Sequence, residues 1–174
     1  NYFYKFNGQI KNESGIVAGD TLKIGNISDR GFVIDRQLTL MPLDNTSKIS
    51  NGFIHLVKGS DGSTVSGLTI NNTKGALSIN GIYVGQLHGI WITKSNNNTI
   101  VNNTIRIANA AGVYAMPMGW SSYNRIIGND MSTYITCVMV MGQCHYNIIS
   151  KNKLETLDYN DLIVSNLIYF NPFG

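Results

Sequence analysis

The chain repeats itself, and that limits the folds open to it more than any other feature. "YNRIIGNDM" (Tyr123 to Met131) superposes on "YNIISKNKL" (Tyr146 to Leu154) at an offset of 23 residues. Tyr falls on Tyr, Asn124 on Asn147, Ile126 on Ile149 and Asn129 on Asn152. "NNNTIVNNTI" (Asn96 to Ile105) joins them, with Asn98, Ile100, Asn103 and Ile105 on Asn124, Ile126, Asn129 and Met131. "STVSGLTI" adds Val65 on Ile100 and Ile70 on Ile105. The upstream halves align as well: Met116 with Met139, Met118 with Met141, and Gly59 and Gly119 with Gly142. "GIYVGQ" from Gly81 takes the same place in its copy, with extra residues around "LHGIW".

Each copy holds short β-prone runs separated by Gly, Asn or Ser, and none holds a helix-period segment of useful length. Leucine-rich and ankyrin units need a helix, and propeller blades need roughly 40 residues or more. About 23 residues with three short strands makes one rung of a parallel β-helix, in which each strand pairs with its equivalent one rung on. Ile100, Ile126 and Ile149, extended by Val65, are then expected to form an inward ladder at about 4.8 Å spacing. Asn103, Asn129 and Asn152 are expected to form a second ladder at a turn, with left-handed backbone and stacked amides.

Composition agrees. Charged residues are 13% of the chain, against roughly 25% in ordinary soluble proteins, and 18 Gly are present. Polarity comes from Asn, Ser, Thr and Gly. The net charge of +3 is scattered without a basic run, so no nucleic-acid partner is expected. No apolar run approaches the roughly 20 residues of a membrane span. Residues 15–174 read as one β-helix segment, and residues 1–14 as an N-terminal cap or edge. "YFNPFG" (Tyr169 to Gly174) resembles "YAMPMG" (Tyr114 to Gly119), with Pro172 on Pro117, which leads to the expectation that the rungs continue past Gly174. Open ends of such a stack favour self-association.

Chemistry is sparse. Glycoside hydrolysis normally needs two carboxylates, yet no acid lies between Gly62 and Asn129. Asp130 with Glu155, or Asp158 with Asp161, are the pairs left to a hydrolase. Lys74, Lys94, Arg106 and Arg125 stand alone, without the acidic cluster a lyase would use to hold calcium. A metal site could be drawn only from Cys137, Cys144 and His145, near Met139 and Met141. Cys137, Met139 and Met141 would share one face of a strand. No cofactor is expected. His55 and His88 carry no signal. Six sequons, at Asn12, Asn26, Asn45, Asn71, Asn97 and Asn102, are candidate glycosylation sites. A band of Met and aromatic residues runs through "VYAMPMGWSSY" and its copies. Most of it is expected in the core, while Trp120 and Tyr123, with His145 and Tyr146, are candidates for an exposed ligand-binding surface.

The runs "NTIVNNTI", "NRIIGNDM" and "NIISKNKL" resemble right-handed parallel β-helix repeats. Together with "GDTLKI", "GVYAMPMG" and "NLIYFNPFG" they are similar to the adhesin-like surface proteins of methanogenic archaea. The periodic repeats are also shared with periplasmic copper-processing β-helix proteins, whose function they do not transfer. The adhesin resemblance implies an extracellular, cell-surface protein with a structural or attachment role, contacting cells or glycans, and implies no catalytic residues. Two alternatives stand beside it: a polysaccharide lyase or hydrolase, and a self-assembling filament or envelope protein.

Overall fold

A computed structural model of the 174-residue chain describes residues 14–74, 76–79, 82–86, 88–108, 114–133, 136–156 and 168–171. Eighteen of its strands form three parallel six-stranded sheets, and the chain visits the three in rotation. The first rung is β1 (Thr21–Ile24), β2 (Ile27–Ser28) and β3 (Gly31–Ile34). The second is β4 (Thr39–Pro42), β5 (Lys48–Ser50) and β6 (Phe53–Leu56). In the third, β7 (Thr64–Ser66) and β8 (Thr69–Asn72) are separated from β11 (Ile90–Thr93) by an antiparallel pair, β9 (Ala76–Ile79) with β10 (Ile82–Gln86). Regular rungs resume with β12 (Thr99–Val101), β13 (Thr104–Ile107) and β14 (Met116–Gly119). They continue through β15 (Arg125–Ile127), β16 (Asp130–Thr133) and β17 (Val138–Met141) to β18 (Ile148–Ser150), β19 (Lys153–Thr156) and β20 (Ile168–Asn171). The fold is a parallel β-helix of six rungs with three faces, and we number the faces by the strand of the first rung that opens each.

Alternation along each strand buries one set of side chains and the register stacks them. Face 1 carries Leu22, Leu40, Val65, Ile100, Ile126 and Ile149 in line, with the middle four fully buried. Face 2 carries Ile27, Ile49, Ile70, Ile105, Met131 and Leu154. Ile34, Leu56, Ile92, Met118 and Val140 do the same for face 3. Each fully buried side chain of this size contributes about 1.5–3 kcal/mol. Nearly all of that is long-range pairing between rungs.

The sheets cannot turn corners without losing hydrogen bonds, and the asparagines replace them. At the corner from face 1 to face 2, Leu68 N–H donates to Asn103 Oδ1, Asn103 N–H to Asn129 Oδ1 and Asn129 N–H to Asn152 Oδ1, at 2.8–3.0 Å. The Nδ2 groups of Asn103, Asn129 and Asn152 donate to the carbonyls of Val65, Ile100 and Ile126. Each side-chain amide stands in for a peptide unit, one rung to the next. The corner from face 3 to face 1 repeats this with Asn98, Asn124 and Asn147, which accept from Ser63, Asn98 and Asn124 N–H. An orphaned buried amide costs about 1–3 kcal/mol, so these ladders belong to the fold.

Several sequence expectations need correction. The ladder asparagines are not the left-handed residues. The residue before each one is: Asn102 (φ 54°), Gly128 (67°) and Lys151 (56°), with Gly67 (66°) in the same place before Leu68. That earlier residue makes the reversal, and the Asn that follows turns its amide inward. "GIYVGQ" does not supply a rung strand, because its residues Ile82–Gln86 form β10 of the antiparallel pair; the rung strand is "IWIT", overlapping the stretch read as an insertion. On face 3 the repeat slips by one residue: Met116 pairs with Val138 and Met118 with Val140, so Met139 and Met141 face outward and are only half-buried. The cause is one extra residue in the following corner, between Met141 and Ile148, which restores the 23-residue offset on face 1. Gly59 lies beyond Val57, the residue level with Gly119. Tyr169 pairs with Met139, in line with Pro117 rather than Tyr114. The offset along face 1 runs 18, 25, 35, 26 and 23 residues, from Thr21 through Thr39, Thr64, Thr99 and Arg125 to Ile148. Residues 1–13, Asp158, Asp161 and Pro172 lie outside the described residues.

A candidate ligand-binding corner

The two Asn-laddered corners share a backbone. At the face 3 to face 1 corner the left-handed column is Gly62 (φ 77°), Asn97 (58°), Tyr123 (60°) and Tyr146 (55°). Consecutive members are tied by Asn97 N–H to Ser122 O and Tyr123 N–H to His145 O. A neighbouring column holds Lys94 (53°), Trp120 (48°) and Gly142 (67°), tied by Lys94 N–H to Gly119 O and Trp120 N–H to Met141 O. Gly and Asn tolerate this conformation; a bulky residue there is an outlier.

The side chains so placed face water. Trp120 is 46% exposed, Tyr123 54%, Tyr146 77% and Ile148 46%, and these are four of the six exposed large hydrophobics among the described residues. Tyr123 and Tyr146 stack at 5.1 Å between centroids and 17° between planes. Trp120 lies across Gly142 of the next rung: a Cβ on Gly142 would stand 2.8 Å from the indole Nε1. His145 is exposed beside Tyr146, rings 6.3 Å apart, and its N–H donates to Ser122 Oγ. The four side chains selected from sequence, Trp120, Tyr123, His145 and Tyr146, are thus gathered at one corner. What they form is an exposed apolar patch with polar groups at its rim.

The other candidates do not converge. Cys137 precedes β17 and is fully buried at the face 2 to face 3 corner, its Sγ 3.3 Å from Glu155 O. Burial pushes its thiol up to about 11. It therefore does not share the outward side with Met139 and Met141. Cys144 lies beyond the opposite end of β17, its Sγ accepting from Ser121 N–H and donating to Met141 O. With the two cysteines at opposite ends of one strand, Cys137, Cys144 and His145 make no common metal site. Asp130 pairs with Arg106 at 2.8 Å and Lys153 at 3.7 Å, and the Arg106 hydrogen bond leads in holding its carboxyl below the ordinary value. The five described sequon asparagines, Asn26, Asn45, Asn71, Asn97 and Asn102, are all exposed.

One cluster was not legible. On the outer side of face 3, His55 stacks on Trp91 (4.1 Å, 6°), and His88 meets Trp91 edge-on at 5.1 Å and Tyr114 at 5.7 Å. His55 Nε2 is 3.0 Å from Thr93 Oγ1, and Tyr114 N–H donates to His88 Nδ1. Burial lowers both imidazoles to about 4, so they are neutral at pH 7. The signal was the pairing of His55 with Trp91, hidden while "GIYVGQ" held the place of β11.

Among the described residues no helix is long and apolar enough to cross a membrane, and no group of three His, Cys, Asp or Glu could hold a metal ion. Compared with protein-family models, with curated proteins and with solved structures, the chain finds no match.

Proposed function

We propose that this β-helix is a non-catalytic, extracellular attachment protein whose aromatic corner binds glycans on a cell surface. One observation carries the reading. Three bulky aromatics occupy left-handed positions where other rungs use Gly, Asn or, in the Trp120 column, Lys94, at a backbone cost of about 1–2 kcal/mol each. They are exposed, so core burial does not offset that cost. Strain kept at an exposed site is a mark of function. Flat aromatic surfaces rimmed by amide, hydroxyl and imidazole groups suit sugars, whose apolar ring faces stack while their hydroxyls find partners. The ion pairs on Asp130 work against its use as a proton donor, which weakens the hydrolase alternative.

The test is binding of the chain to a glycan array and to whole cells, beside Tyr123→Asn, Tyr146→Asn and Trp120→Gly. Each substitution installs a residue type that a left-handed corner position already carries elsewhere in the chain. The expected result is loss of binding with the β fold kept and thermal stability unchanged or raised. Equal binding by parent and variants would overturn the reading, and release of new sugar ends from a polysaccharide panel would replace it with an enzyme.

A further inference from the structure

We infer that Asn97 is N-glycosylated and that its first sugar packs on the open face of the Tyr123 ring as a third plate in the aromatic column. This rests on the reading of that corner as a sugar-binding surface. Asn97 opens the sequon Asn97-Asn98-Thr99 and is exposed. Register places Thr99 against Arg125, hence Asn97 directly one rung before Tyr123, as Tyr123 is one rung before Tyr146. The φ values of the three residues are 58°, 60° and 55°, so their side chains leave the backbone in parallel. For Tyr123 and Tyr146 that shared departure yields a stack at 5.1 Å. A pyranose on Asn97 Nδ2 would meet Tyr123 with the same geometry from the other side. Of the five described sequons only Asn97 lies in this column. Asn26 is level with Lys48 and Asn71 with Arg106; Asn102 precedes Gly128 in its own column and Asn45 lies in the loop between β4 and β5.

The modification needs an oligosaccharide on a lipid pyrophosphate as donor. The C1–O bond to the pyrophosphate breaks, the Nδ2–C1 bond forms, and one amide proton is released, with no oxidation or reduction. The chain would then carry one permanently seated sugar and present Trp120 and Tyr146 to an external one.

The experiment expresses the full chain in a host whose N-glycans begin with N-acetylglucosamine, followed by glycopeptide mass spectrometry and proton NMR. The expected result is an occupied Asn97, with an N-acetyl methyl signal shifted upfield by the Tyr123 ring current that returns to the ordinary position in Tyr123→Asn. A bare Asn97, with or without sugars at other sequons, overturns the inference, and so does an occupied Asn97 with an unshifted signal. Asn97→Gln separates the two readings: array binding that survives in this variant leaves the attachment function standing whatever happens at Asn97.

Discussion

The corner from face 1 to face 2 and the corner from face 3 to face 1 are built alike. In each, a left-handed residue precedes an Asn whose amide bridges rungs, with Gly67 and Gly62 preceding Leu68 and Ser63 at the start of the column. They differ in what occupies the left-handed position. The first has Gly67, Asn102, Gly128 and Lys151; the second has Gly62 and Asn97, then Tyr123 and Tyr146, with Trp120 beside them. Backbone geometry accounts for three of the first four, since Gly and Asn enter that region at least cost, Lys151 being the exception. It does not account for the second. The difference separates residues the fold requires from residues it merely tolerates.

The shared part of the two corners predicts the largest effect. Asn129→Ala removes the acceptor for Asn103 N–H and Nδ2 and the donor to Ile100 O and Asn152 Oδ1. Asn124→Ala does the equivalent at the aromatic corner. With several buried groups orphaned at once, each variant should lose about 3 kcal/mol or more in urea unfolding. A large loss at one corner and almost none at the other would break the equivalence.

Acid should act outside both ladders, which contain no titrating group. His55 and His88 have folded-state values of about 4, depressed from 6.5 chiefly by burial, with His88 also acting on His55. Between those values the unfolded chain binds more protons, so stability is full above about pH 6.5 and falls as the pH drops toward 4. The pair together should be worth several kcal/mol, since every tenfold loss of proton affinity on folding corresponds to about 1.4 kcal/mol. His55→Phe, which keeps a ring on Trp91, should flatten roughly half of the slope in melts from pH 7 to 4. An unchanged slope would mean that the imidazoles are not held neutral by burial.

The fold was legible because a solenoid prints its inward ladders along the chain at a nearly constant interval. Ile100, Ile126 and Ile149 could be stacked from letters alone, as could Asn103, Asn129 and Asn152. What was not legible lay where insertions break the interval. One extra residue after Met141 shifted the face 3 register, and the antiparallel pair before β11 hid the contact of His55 with Trp91. The φ of the corner was misplaced by one residue because Asn suits both roles, the left-handed turn and the inward amide. Only the hydrogen bonds distinguish them. The aromatic corner was half legible: Trp120, Tyr123, His145 and Tyr146 could be named as exposed, but the left-handed backbone that makes the tyrosines costly appears only in three dimensions.

The smallest expected effect is also the sharpest comparison. Gly128 and Gly142 share φ 67°, and a Cβ on either would press on a single side chain, Asn102 Oδ1 at 2.7 Å or Trp120 Nε1 at 2.8 Å. Gly128→Ala and Gly142→Ala should therefore each cost about 1 kcal/mol, mainly from left-handed strain, because both neighbours sit at the surface and can yield. Their stabilities should differ by almost nothing. Their optical and binding behaviour should differ: only Gly142→Ala lifts the indole off the next rung, changing Trp emission and weakening glycan retention, while Gly128→Ala leaves both unchanged. Were the two variants indistinguishable in emission and in binding, the plane of Trp120 over Gly142 would have no part in recognition, and the stacked Tyr123 and Tyr146 would have to carry it without the indole.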